Sequence, residues 1–163
     1  MQIAIHSSFG VELDTMREQP PKSLKVTKRD AAVRQITAAI EAFWQGNYDI
    51  SVTLALAAEG MAEPDGGSLF AKQIADLPPG ISRREWIAIV NSERDWLKHP
   101  TTDILGEEIT IELNVAGYAI ARALRRWPEW TPPMSEFKLW YMDYLRKDFV
   151  QPQVDEIHRR IDR

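Results

Sequence analysis

From Thr27 onward, apolar residues return at steps of three and four positions over most of the chain, a period that predicts helices. Ala32, Ile36, Ala39, Ile40 and Phe43 form the first such stripe. Thr27 stands before it as an N-cap with Asp30 three residues on, and Gly46-Asn47 closes it. The next stretch, residues 50–62, is apolar on nearly every side and reads as a buried central helix whose alanines let neighbouring helices approach closely. Its β-branched Ile50, Val52 and Thr53 leave a buried strand open as a reading of the first half. Residues 68–76 predict a short helix and Leu77-Pro78-Pro79-Gly80 a break. Ser82, with Glu85 in the capping-box position, opens a long helix carrying Trp86, Ile89, Val90, Trp96 and Leu97 and ending at His99, ahead of Pro100.

A further helix is predicted over residues 107–126, with Leu113, Ala116, Ile120, Ala123 and Leu124 inward and Arg122, Arg125 and Arg126 at its C-terminal end as a solvated basic patch. After a rigid turn at 127–133, Met134 or Ser135 begins an aromatic helix through Phe137, Trp140, Tyr141 and Tyr144. Pro152 then sits in the first turn of a last piece. Residues 1–28 follow no helical period, although Ile3 and Ile5 allow a short strand over 2–9, and Pro20-Pro21 interrupts the chain. The expected organisation is all-α: an irregular arm, residues 1–28, and a single helical bundle of four to six helices, residues 29–163.

Composition narrows the chemistry. The 163 residues include no cysteine, which excludes a disulfide framework, a thiol nucleophile and cysteine-ligated zinc or iron–sulfur centres. Lys and Arg number 20 against 24 Asp and Glu, a formal net charge of −4, so RNA contacts would have to act at short range, within about 8–10 Å. The beginning of the chain has no basic run or long apolar stretch, and no apolar run matches a bilayer; no membrane association and a cytoplasmic location are expected. No phosphate loop, dinucleotide fingerprint, nucleophile elbow or His-Glu-x-x-His is present. The three histidines, His6, His99 and His158, are scattered, so neither a metal nor a cofactor is expected.

The densest polar cluster is Asn91-Ser92-Glu93-Arg94-Asp95-Trp96-Leu97-Lys98-His99-Pro100. Asn91, Asp95 and Lys98 follow one another at helical steps beside Arg94. Glu59, after a nearly apolar run, is costly to bury without a cation, and reads as a structural brace to Arg94, Lys98 or His99. Trp127, Trp130, Trp140, Tyr141 and Tyr144 read first as core or interface packing and second as base-stacking platforms.

Arg94-Asp95-Trp96-Leu97-Lys98-His99, preceded by the helix bearing Leu54-Ala55-Leu56-Ala57-Ala58-Glu59, resembles the HEPN superfamily over residues 31–126. The resemblance implies an all-α domain. In ribonuclease members an Arg followed by a polar residue and, after a gap of four to six, a His form half of a site completed across a homodimer. Carried over, Arg94, Asp95 and His99 are the candidate catalytic residues, and Lys98 and Asn91 the candidate substrate contacts. Arginine offers a planar fork to phosphate and histidine exchanges protons near neutral pH, as metal-independent cleavage at a 2′-hydroxyl requires.

Two functions are therefore expected in order. The first is a non-catalytic helical binding or assembly module of HEPN-like type, homodimeric and with a possible protein partner. The alternative is a metal-independent endoribonuclease, a toxin or defence component in its setting, acting through the Arg-x4-His motif across the dimer. In either, the dimer contact is expected at the Arg94–His99 helix end, where Trp96 offers a second semi-apolar surface.

Overall fold

The computed structural model of the chain describes residues 20–64, 68–100 and 106–161. They form α1 (Lys28–Trp44), α2 (Tyr48–Gly60), α3 (Leu69–Ala75), α4 (Arg83–Val90), α5 (Ser92–Lys98), α6 (Leu113–Arg126), α7 (Pro132–Leu145) and α8 (Gln151–Ile161), with a π-helical turn at Arg146–Val150 between the last two. No strand occurs among the described residues, as the periodicity predicts. The helical segments are more numerous and shorter than a bundle of four to six implies. Residues 20–27 are exposed and non-helical. The strand considered for residues 2–9, and His6 within it, lie outside the described residues.

The start of α1 is fixed by a reciprocal cap. The Thr27 hydroxyl accepts from the Asp30 backbone N–H, and the Asp30 carboxylate accepts from Thr27, an interaction that holds the Asp30 carboxyl below its ordinary range. At the other end Gly46, with φ of +77°, turns the chain so that the Asn47 N–H reaches the Ala42 carbonyl at 2.9 Å and the Gly46 N–H reaches Phe43 at 3.0 Å. The tight reversal lays α2 along α1. Residues 50–53 are helical within α2, so the strand alternative is set aside.

The core gathers Ile36, Ile40 and Phe43 of α1, Val52 and Ala55 of α2, Ala116 and Ile120 of α6, and Met134 and Phe137 of α7. Each fully buried large side chain contributes about 1.5–3 kcal/mol relative to exposure. Phe43 meets Phe137 edge-on at 5.2 Å and Trp140 at 5.3 Å, which ties the first half of α7 to the end of α1. α6 lies chiefly against α2, its small Ala116, Ala119 and Ala123 permitting the approach.

Three boundaries depart from expectation, each for a local reason. The helix expected from Ser82 to His99 divides at Asn91, where φ is −107° and ψ is 8°; the Ser92 hydroxyl donates to the Ile89 carbonyl at 2.7 Å and competes with the helical ladder. α6 begins at Leu113 rather than 107, because Ile109, Thr110 and Ile111 are β-branched and Glu112 is extended. α7 begins at Pro132, one position after Thr131, using proline where its missing N–H costs nothing. Pro152 lies in the first turn of α8 as expected, and the π-helical turn before it accommodates a residue that cannot donate. No described helix is long and apolar enough to cross a membrane.

Candidate functional site

At the end of α5 the Arg94 Nε and a terminal guanidinium nitrogen both meet Oδ1 of Asp95, at 2.9 and 2.7 Å. Arg94 thus pairs with its neighbour rather than with Glu59 or Glu93. Both side chains are 34% exposed, so water screens the pair and its contribution is about 0–1 kcal/mol. The His99 backbone N–H donates to the Asp95 carbonyl at 2.9 Å, and the residue then turns extended ahead of Pro100, as its position before a proline dictates. The exposed His99 ring has no hydrogen-bond partner among the described residues, and the Asp95 carboxylate faces Arg94. Lys98 is exposed. Asn91 is buried at the α4–α5 junction with its Oδ1 unpartnered, which sets it apart from the exposed end of the motif. Trp96 is half-buried, its indole N–H donating to the Gly106 carbonyl at 2.9 Å.

Glu59 is braced, but by a different cation. Arg122 of α6 grips it with Nε at 3.1 Å and a terminal nitrogen at 2.6 Å, and the same guanidinium stands 4.6 Å from the centre of the Phe70 ring. The correction follows from packing: α2 lies along α6, so the residue facing Glu59 is Arg122, and not Arg94, Lys98 or His99 of α5. Arg122, expected in a solvated basic patch, is 4% exposed. Of the aromatics, Trp140, Tyr141 and Tyr144 pack in and around the core, and Trp127 donates to the Ala58 carbonyl at 2.9 Å. Of the five, Trp130 alone is exposed.

Trp130 marks an opening between α3, α6 and α7, a cavity of about 500 Å³. Its apolar surface comes from Leu69 of α3, Ala121 and Leu124 of α6, and Phe137, Met142 and Leu145 of α7, with Tyr118 and Tyr141 between them. Three cations share its lining: Lys72, Arg125 and Lys138, the last with its ammonium 4.4 Å from the centre of the Trp130 ring. None of the three has an ion-pair partner among the described residues, and none of the described carboxylates lines the cavity. Burial raises both phenols above the ordinary tyrosine range, Tyr141 to about 12, so both remain neutral donors; the Tyr118 hydroxyl has only a long bond to the Leu69 carbonyl, at 3.4 Å. The volume falls within the ~300–1,000 Å³ of small-molecule sites.

Sequence reading passed over Lys72, Tyr118 and Lys138, which lie on three separate helices. The available signal was the small pair Gly117 and Ala121 on α6 opposite an aromatic helix that begins at two prolines. Smaller cavities lie beside α4 and α6, lined in part by Trp86 and Glu93, and along the end of α7. None of these is lined by Arg94, Asp95, Lys98 or His99. Among the described residues no group of three or more His, Asp or Glu is placed to hold a metal ion; His158 is exposed on α8. Compared with family models, with curated proteins and with solved structures, the chain finds no match in any of the three.

Proposed function

We propose that this chain is a non-catalytic helical binding module of HEPN-like type, homodimeric in solution, whose ligand site is the cavity between α3, α6 and α7. The observation that carries the reading is a contrast between two places. The cavity offers apolar surface with cations at its edge that have no ion-pair partner among the described residues, whereas Arg94 is occupied by Asp95 and His99 meets no second proton-transfer group among the described residues. Binding needs the first arrangement, whereas general acid–base catalysis at the second would depend on a further group supplied across a dimer.

A neutral apolar dye such as Nile red, added to the full chain, is expected to bind saturably, and Ala121→Trp is expected to exclude it by filling the cavity. Binding unaffected by Ala121→Trp in a folded variant would overturn the assignment.

The second reading is a metal-independent endoribonuclease, supported by the exposure of His99 and the half-exposed Arg94 on one helix end. It is tested by incubating the chain with mixed single-stranded RNAs in EDTA. No cleavage is expected. Fragments with 2′,3′-cyclic phosphate ends that disappear in a folded His99→Ala variant would establish the nuclease and defeat the non-catalytic reading.

A further inference from the structure

The lining of the cavity between α3, α6 and α7 is one-sided in charge. Lys72, Arg125 and Lys138 come from three helices, each positive, and none is neutralised by a carboxylate among the described residues. This is unusual for a chain that is acidic as a whole, where carboxylates outnumber cations 24 to 20. Below the cations the surface is hydrocarbon and aromatic. Such a site rewards a ligand that places carbon against Leu124, Phe137 and Leu145 and a negative group at the edge.

From this charge complementarity, and resting on the binding-module reading above, we infer that the cavity takes a small amphipathic carboxylate, a medium-chain or aryl-alkyl acid. The polar end has a defined position. Arg125 is in the last turn of α6 and Lys138 in the second turn of α7, so both stand toward the Trp127–Thr131 connection; Trp130, in that connection, holds the Lys138 ammonium over its ring. The carboxylate belongs there, between Arg125 and Lys138. The hydrocarbon body runs along Ala121 and Leu124 toward Tyr118 and Leu145. The buried phenols stay protonated and so add no negative charge to repel the acid. A cationic amphiphile of the same length meets only like charges. A neutral one gains the apolar contacts and forgoes the charge-assisted bonds.

Calorimetry on the full chain with decanoate, decanol and decylammonium, each kept below its aggregation threshold, separates these cases. The expected result is saturable binding with decanoate about tenfold tighter than decanol, as charge-assisted hydrogen bonds imply, and decylammonium weakest. Arg125→Gln with Lys138→Gln should bring decanoate to the decanol level and leave decanol unchanged. Equal affinity of decanoate and decanol in the native chain would overturn the carboxylate inference and leave the cavity as an apolar site. Failure of all three to bind would overturn both the inference and the cavity reading. Vesicles of phosphatidylglycerol provide the remaining arm: no sedimentation with them is expected, and sedimentation lost in the double variant would assign the cations to a lipid surface and refute a free acid as ligand. The decanoate-to-decanol ratio is read on the unaltered chain, so the inference stays decidable even if the double variant fails to fold.

Discussion

Replacing Glu59 by Ala should cost this fold about 3–5 kcal/mol, because it strands a buried guanidinium. The Arg122 side chain is 5% exposed and is held by two short contacts to Glu59, so removing the carboxylate leaves its charge largely desolvated and without its bidentate partner. Against a typical domain stability of about 5–15 kcal/mol, the loss is large enough to displace a urea midpoint plainly. The reverse change, Arg122→Met, should cost less. Glu59 is 13% exposed and can recover some hydration, while a methionine keeps contact with the Phe70 ring that now faces the guanidinium. The double variant Glu59→Leu with Arg122→Met should regain much of the loss, since a buried ion pair replaced by apolar side chains is often neutral or stabilising. Urea unfolding followed by helical circular dichroism measures all three. A Glu59→Ala loss under about 1 kcal/mol would refute the claim that this pair is a desolvated brace between α2 and α6.

Tyr141, with its phenol raised from an ordinary 10 to about 12 by burial, ties stability to alkaline pH. The unfolded chain releases this proton first, so the stabilisation is complete below about pH 10 and is lost as pH rises toward 12, by at most about 3 kcal/mol; Tyr141→Phe should flatten the decline in urea midpoint between about pH 10 and 12, leaving the smaller part due to Tyr118 and Tyr144. Gly117→Ala should lower stability by about 1–2 kcal/mol in the same assay, since the new Cβ would stand 2.6 Å from Cε2 of the Tyr141 ring and the crowding exceeds the gain in helix propensity. Light scattering at micromolar concentration should give twice the chain mass, and Trp96→Glu should halve it without loss of helical signal; a monomer would defeat the dimer, and a dimer indifferent to Trp96→Glu would move the interface away from the α5 end.

How far the sequence foretold the structure depended on whether a residue's partner was local. Thr27 with Asp30, Ser82 with Glu85, and Gly46 after an apolar stripe are signals complete within a few residues, and all three ends appear where their chemistry places them. Asn91 escaped because the break between α4 and α5 depends on where the Ser92 hydroxyl bonds, a competition that hydrophobic period does not encode. Glu59 was legible as a carboxylate in need of a cation, but not its partner. Arg122 is 63 residues away, and only the packing of α2 on α6 brings the two together. The cavity was the least legible feature, since Lys72, Arg125 and Lys138 each look like ordinary surface charges until α3, α6 and α7 are assembled.

The most direct test of where this protein binds is a ¹H–¹⁵N correlation map of the full chain titrated with decanoate. Shifts confined to the amides of Lys72, Tyr118, Ala121, Arg125 and Lys138 and their neighbours are the result predicted. Shifts centred on Arg94, Lys98 and His99, with α6 and α7 unmoved, would contradict it.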